Sequence, residues 1–393
     1  MQYRRFGRTE LQMPVFSCGG MRYQQSWQTI SAAEVDPDKQ QNLEYTVHQA
    51  VSLGINHIET ARGYGSSELQ LGRVLPRFPR QNLIVQTKVV PSEDPEEFRQ
   101  TFEQSFDFLG LKYVDLLGLH GINTPKILDW CVRPGGCLAV ARQLQREGKV
   151  RFIGFSTHGP TDVIIDTINT GEFDYVNLHW YYIFQNNWPA IEAASGQDMG
   201  VFIISPSDKG GHLYNPPEKL VKLCAPLSPI MFNDLFCLSH PQVHTLSIGA
   251  SRPTDFEEHL KILPLLADAQ THLKPILHRL ETAAIEALGQ DWYATWSEGL
   301  PKPSETPGGL NIPIMLWLYN LVKAYDLVEF GQARYNLLGN GGHWFPGKKA
   351  YDLEKLDLTA CLQQSPHAAK IPALLQEVHQ ILEAGDRQRL SSI

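Results

Sequence analysis

Eight short apolar runs, each followed by a longer amphipathic stretch, fill about the first 265 residues of this 393-residue chain. The runs begin with Val15-Phe16-Ser17-Cys18, Ile55-Asn56-His57-Ile58, Leu83-Ile84-Val85-Gln86 and Val114-Asp115-Leu116-Leu117-Gly118-Leu119. They continue with Arg151-Phe152-Ile153-Gly154-Phe155, Tyr175-Val176-Asn177-Leu178, Val201-Phe202-Ile203-Ile204 and Thr245-Leu246-Ser247-Ile248. Between them, residues 42–53 place Leu43, Val47, Ala50 and Val51 at helical spacing, with Gly54 as a stop. Phe98, Phe102, Ser105, Phe106 and Leu109 form a second stripe closed by Gly110, and residues 138–147 and 161–169 continue the alternation. Parallel strands need crossover connections, so this alternation predicts a parallel sheet. Closed on itself it is an α/β fold, the (β/α)8 TIM barrel. A doubly wound open sheet is the competitor, but no G-x-G-x-x-G follows the first run.

The pattern changes near residue 265. Residues 266–288 read as a helix, 299–313 as a Pro- and Gly-rich connector, and 314–330 as a strongly apolar helix. A glycine-rich stretch with His343, Trp344 and Phe345 follows, then a last amphipathic helix over 371–384. No further strand is predicted. The expected organisation is a barrel over residues 1–265 and an all-α C-terminal region over 266–393.

Hydrophobic residues make up 42% of the chain, enough for a sizeable core. A net charge of −8 and a pI near 6.0 disfavour nucleic acid and anionic membranes, whose partners need a basic face. No apolar run reaches the ~20 residues that span a bilayer, and Met1-Gln2-Tyr3-Arg4-Arg5 lacks a signal-like stretch. A cytoplasmic protein is expected. Cys18, Cys131, Cys137, Cys224, Cys237 and Cys361 contain no C-x-x-C pair, so reduced thiols are expected and no metal site.

The reactive face of such a barrel lies where each strand runs into its helix. Four polar residues fall there: Glu59 in Ile58-Glu59-Thr60-Ala61, Tyr64 in Arg62-Gly63-Tyr64-Gly65, Lys88 in Gln86-Thr87-Lys88-Val89, and His120 in Leu117-Gly118-Leu119-His120. Residues 55–65 resemble the signature of the aldo-keto reductases, in which an acidic residue, Thr and Ala precede a catalytic Tyr. Lys88 and His120 fall where that family has its catalytic Lys and His. The likeness runs from Tyr3-Arg4-Arg5-Phe6-Gly7-Arg8-Thr9 to Gly249-Ala250-Ser251-Arg252-Pro253, about two-thirds of the chain.

The resemblance implies reduction of an aldehyde or ketone, with a hydride from a nicotinamide and a proton from the protein. Free tyrosine, with a pKa near ~10, is a weak acid catalyst at neutral pH, and a neighbouring ammonium lowers that value. Lys88 is assigned this role, with Glu59 holding it and His120 donating to the developing alkoxide. The family usually has Asp where this chain has Glu59. Alone, each residue also has a plain structural reading, as a rim salt bridge, a packed aromatic or a capped loop residue.

Cofactor contacts also follow from the resemblance. Gly20 and Met21 follow the first run. Ser156 and Thr157 stand where a Ser-Asn pair binds the carboxamide, and Asn177 where Gln is usual. Ser205, Lys209 and Gly210 lie in a loop resembling the one that covers the diphosphate. Gly249, Ser251, Arg252, Asp255, Glu258 and His259 resemble the segment around the adenosine phosphate. Arg252 suits a 2′-phosphate and Asp255 would repel one; the resemblance to the family favours NADP(H), and NAD(H) is not excluded. Met21, Arg22, Tyr23, Trp27, Trp180, Tyr181 and Tyr182 are candidates for the substrate pocket.

Beyond residue 290 the chain resembles a reductase subgroup with a C-terminal ferredoxin-like region, through Leu310-Asn311-Ile312-Pro313, Ala333-Arg334-Tyr335-Asn336 and Ile371-Pro372-Ala373-Leu374-Leu375. The cysteines that hold iron–sulfur clusters in that subgroup are missing, and only Cys361 stands in the later segment, so no cluster is expected. Trp292, Trp296, Trp317, Trp344 and Phe345 are expected to pack on the barrel, over the substrate mouth or in a homo-oligomer contact. The leading expectation is a carbonyl reductase acting on a small molecule. A cofactor-binding, redox-sensing regulatory protein with little turnover is the alternative. A glycosidase or an aldolase using Lys88 as a Schiff base is a third reading, opposed by the company of Tyr64 and His120.

Overall fold

The computed structural model describes residues 1–339 and 346–383; His343, Trp344, Phe345 and Ala384 lie outside the described residues. The chain divides into two compact units, Met1–Gly210 with Asn233–Ala269, and Gly211–Phe232 with Gln270–Ile393. The barrel lies in the first.

Two strands precede it. β1 (Tyr3–Arg5) and β2 (Gln12–Pro14) form an antiparallel hairpin that the apolar pattern did not announce. The hairpin closes the N-terminal end of the barrel. Phe6, between its strands, packs with Met13, Ile84, Leu116, Tyr175 and Phe202 in one buried cluster. A side chain at Gly200 would strike the Phe6 ring at 2.6 Å, so the close approach requires glycine there.

The eight expected runs become β3 (Phe16–Gly19), β4 (His57–Glu59), β5 (Ile84–Val89), β6 (Val114–His120), β7 (Val150–Ser156), β8 (Tyr175–Leu178), β9 (Gly200–Ile203) and β10 (Thr245–Ile248). All neighbours are parallel, and β10 pairs with β3 to close the barrel. Side chains alternate across each strand, so one row per strand points inward. Tyr175 and Asn177 form that row on β8, and Ser156, opposite Asn177, belongs to it on β7.

The helices follow local signals. Pro37–Ser52 starts five residues before the expected 42, because the Asp36 carboxylate accepts from the Asp38 and Lys39 amides and Pro37 occupies the first turn. Pro95–Leu109 is capped by Asp94 and ends at Gly110 in the left-handed region, as its glycine stop implied. Thr161–Asn169 coincides with its expected bounds.

In the second unit the expected 314–330 helix is two helices, Ile312–Tyr325 and Val328–Tyr335. Asp326 breaks it by adopting φ 60°, a left-handed cap that the continuous apolar pattern hid. Ala269–Leu288 and Ile371–Leu382 complete the long helices of this unit, and its described residues hold one isolated bridge, Leu310 with Lys348. Trp292 is buried and donates from its indole to the side-chain amide oxygen (Oδ1) of Asn320 at 2.7 Å. Among the described residues no single helix is long and apolar enough to cross a membrane.

Candidate active site

Strand ends bring Glu59, Tyr64, Lys88 and His120 together. Glu59 closes β4 and Lys88 lies in β5, its hydrogen-bonded neighbour, so both charges sit inside the barrel wall. Lys88 is 1% exposed and donates to one Glu59 carboxylate oxygen. The other oxygen accepts from the Ser247 hydroxyl of β10 at 3.0 Å. Two ions taken this far out of water are tolerable only as a satisfied pair. Burial works against the Lys88 ammonium, yet the facing Glu59 carboxylate and Tyr64 outweigh it and raise its pKa.

Glycines make the space. A Cβ at Gly118 on β6 would stand 2.9 Å from the Cγ of Lys88, and one at Gly19 on β3 would stand 2.6 Å from the Ser247 hydroxyl and 3.1 Å from a Glu59 carboxylate oxygen. The sequence carried a signal for both, a glycine inside a strand, which usually marks close approach. Ser247 gave no such signal.

The Lys88 Nζ lies 4.9 Å from the centre of the Tyr64 ring. Burial raises the Tyr64 pKa, and the Lys88 charge and hydrogen bond oppose that rise. His120, closing β6, meets Tyr64 edge to face, with ring centres 5.9 Å apart and planes at 86°. Burial, then the charges of Lys88 and Lys209, push the His120 pKa down to about 3, which leaves a neutral imidazole with one N–H to donate. Below this group His57 is fully buried, its Nδ1 2.7 Å from the Ser17 hydroxyl, and burial lowers its pKa to about 3.

These two histidines set a sign for stability. Each is neutral when folded and takes up a proton near pH ~6.5 when unfolded, so stability is full above that pH and is lost as pH falls towards 3. Each should contribute a slope of up to about 1.4 kcal/mol per pH unit in that window. Urea unfolding midpoints of the parent and of His57→Gln between pH 4 and 7 measure it; an equally steep acid dependence in the variant would assign the loss elsewhere.

The expected cofactor residues fall into three groups. The first lies at the mouth. The Gly20 amide donates to the Glu59 carbonyl at 2.8 Å, Met21 follows it, and Ser156 receives the Gly121 amide at 3.2 Å. Thr157 is buried, its hydroxyl donating to the Ile122 carbonyl at 2.8 Å. Asn177 is fully buried, and neither atom of its amide has a hydrogen-bond partner. A buried amide left this way costs about 1–3 kcal/mol, and a carboxamide would satisfy both its ends.

The second group is the loop after β9. Ser205 takes a left-handed φ of 54° and starts the short helix Pro206–Lys209, which ends at Gly210. The buried Ser207 hydroxyl there has no partner. The third follows β10, where the Gly249 carbonyl accepts from Arg22 at 2.9 Å. Asp255 accepts from the amide and hydroxyl of Ser251 at 2.8 and 2.9 Å, and from the Nε of Arg252 at 2.8 Å. Burial opposes its ionisation, but these donors hold the carboxyl below its usual range. Glu258 pairs with Lys261 at 2.5 Å. His259 is fully buried, with its Nδ1 2.5 Å from the Asp234 carboxylate.

Of the pocket candidates, Trp180 is 2% exposed and stacks on Phe236, with Trp188 tilted and His240 edge-on against it, since it follows the inward row by one residue and points outward. Tyr23 is buried with Cys18. Trp27 is exposed.

Residues 16–195 match the model of the Aldo/keto reductase family. The chain is 29% identical over 156 residues to an NADH-specific methylglyoxal reductase of Escherichia coli, covering 34% of this chain and 47% of that protein. It is 34% identical over 149 residues to an L-galactose dehydrogenase of Arabidopsis thaliana, covering 35% of this chain and 46% of that protein. The aligned part thus spans about half the length of these relatives. An aldo-keto reductase of Bacillus halodurans in its holo form shares the fold, with a TM-score of 0.58 at 20% identity, over 70% of this chain and 96% of that one.

Proposed function

We propose that the chain, whose residues 16–195 match the model of the Aldo/keto reductase family, reduces an aldehyde or ketone to the alcohol with NAD(P)H. The observation that carries this reading is the buried ammonium of Lys88, held between the Glu59 carboxylate and the Tyr64 ring with neutral His120 edge-on to that ring.

A bound nicotinamide dinucleotide supplies the hydride to the carbonyl carbon. The chain supplies the rest. His120 donates its N–H to the carbonyl oxygen and polarises it, and Tyr64 transfers its hydroxyl proton to the same oxygen as negative charge develops there. Lys88 stabilises the tyrosinate left behind, and Glu59 keeps that ammonium charged and fixed. Solvent returns the proton to Tyr64.

The residues present fit a nicotinamide dinucleotide. Asn177 and Ser156 are set to hold the carboxamide, with Thr157, Gly20 and Met21 lining that end. Ser205, Lys209 and Gly210 flank the diphosphate, and Gly249, Ser251, Arg252, Asp255, Glu258 and His259 form or brace the adenosine end. NADP(H) is the favoured partner through Arg252, tempered by Asp255. Asp255→Asn should release the guanidinium and shift the NADPH-to-NADH affinity ratio roughly tenfold towards NADPH. Fluorescence titration of both nucleotides tests this; an unchanged ratio would remove Arg252 from the 2′-phosphate.

Nucleotide binding by the purified chain, with aldehyde-dependent oxidation of the bound dinucleotide, tests the function. Micromolar binding with steady-state turnover supports it. Binding with no turnover of any aldehyde overturns it.

A further inference from the structure

Lys88 points into the barrel, so its neighbour Thr87 points out of the same strand towards the helix layer. There the Thr87 hydroxyl donates to one carboxylate oxygen of Glu68 at 2.5 Å. Glu68 belongs to the short helix Ser67–Leu71 and is fully buried. Its other carboxylate oxygen accepts from the Nη1 of Arg62 at 2.6 Å. Burial pushes the Glu68 pKa up, and the Thr87 hydroxyl and the Arg62 charge act against that rise.

This carboxylate joins the two groups whose separation governs release of the phenol proton. Tyr64 stands in the loop between Arg62 and Glu68. Its amide donates to the Ala61 carbonyl at 2.9 Å, and its carbonyl accepts from the Ser67 amide at 3.1 Å. Arg62, which opens the loop, donates its amide to the Lys88 carbonyl at 2.9 Å and its side chain to Glu68. Glu68, which closes it, is bonded to the residue beside Lys88. The guanidinium is held in turn: its Nη2 donates to the Thr29 hydroxyl at 2.7 Å, and its carbon lies 4.7 Å from the centre of the Phe108 ring. Both ends of the Tyr64 loop are thereby referred to the strand that carries Lys88.

A carboxylate this deep costs more than an apolar side chain that would hold the same helix against the sheet. What it adds is direction, since charge-assisted hydrogen bonds fix distance and angle where apolar contact does not. We propose that Glu68, acting with Arg62 and Thr87, is a positioning residue outside the barrel wall that sets the Tyr64 hydroxyl against the Lys88 ammonium inside it. The inference rests on the reductase reading of that pair.

The test uses three variants. Thr87→Val keeps the shape of the side chain and removes the donor, Thr87→Ser keeps the donor, and Glu68→Gln keeps the volume and removes the charge. Thr87→Val and Glu68→Gln are each expected to lower the single-turnover rate at saturating aldehyde about tenfold, the scale of a small misplacement of the reacting groups. NADPH affinity should stay within about twofold of the parent. Thr87→Ser should recover most of the rate that Thr87→Val loses. Rates unchanged in both Thr87→Val and Glu68→Gln overturn the proposal, as does a loss in Thr87→Val that Thr87→Ser does not recover. A second readout needs no turnover. With tyrosine isotope-labelled at Cζ, the Tyr64 carbon resonance is identified by its loss in Tyr64→Phe and reports the Lys88 charge beside the phenol. It should shift in Thr87→Val and Glu68→Gln and return in Thr87→Ser; a resonance unmoved in the first two overturns the positioning. Should the parent reduce no aldehyde, the reductase reading fails, and the shift or constancy of that resonance still decides whether Glu68 sets Tyr64 against Lys88.

Discussion

Tyr64→Phe is expected to bind NADPH within about twofold of the parent and to reduce aldehydes about a thousandfold more slowly, in line with the loss of a positioned acid catalyst. The ring is retained, so its packing against His120 and its place over the Lys88 ammonium survive. What disappears is the one hydroxyl proton that Lys88 can help release. Steady-state kinetics and nucleotide titration separate the two effects. The pH dependence adds a sign. Reduction requires the protonated phenol, so the parent should lose activity as pH rises through the tyrosine pKa, and the variant should lack that alkaline limb. A variant rate within tenfold of the parent would sink the assignment and move the proton donor to His120, whose low pKa makes it a poor source at neutral pH.

Glu59→Ala should be the most destabilising single change at the site, by about 3–5 kcal/mol at pH 7, because it leaves the Lys88 ammonium in the barrel wall without its carboxylate. The parent's Lys88 has a raised pKa, so its paired charge stabilises the fold below the unfolded lysine value near ~10.4 and that benefit is lost as pH rises through the folded value. In Glu59→Ala the sign reverses: the folded lysine pKa falls below the unfolded one, and the penalty shrinks as pH rises. Urea unfolding at pH 7 and pH 10 reads this directly. Equal penalties at both would mean that the loss is one of packing. Glu59→Gln, which keeps volume and an acceptor, should fall between parent and Glu59→Ala and keeps the test open if the alanine variant does not fold.

Much of the barrel was legible because each parallel strand is buried on both faces and so reads as a continuous apolar run. The polar residue near the end of such a run is conspicuous, which is why Glu59, Lys88 and His120 stood out, while their roles came from the family resemblance. The hairpin of β1 and β2 was hidden because Tyr3-Arg4-Arg5 has no apolar face to repeat, the strand being exposed at both ends of its three residues. The break at Asp326 was hidden by apolar residues on both sides. Ser247 could not be found at all, since its partner Glu59 lies 188 residues away and only closure of β10 onto β3 brings them together. His259, which the resemblance puts near the adenine, is buried against Asp234, a helix partner 25 residues earlier that the sequence did not suggest.

The pairing of Gly19 with Glu59 has a consequence for how this barrel can change. The longer carboxylate reaches Lys88 and Ser247 through space that a side chain at residue 19 would fill. Alanine at residue 19 would press on Ser247 and Glu59 at once, and aspartate at residue 59 would draw the carboxylate back from a hollow that nothing else fills. A shorter acid at residue 59 would ease the Glu59 contact of such an alanine, while those with the Ser247 hydroxyl and the Ile248 carbonyl would remain. The two positions are therefore coupled, and their effects on stability should not add.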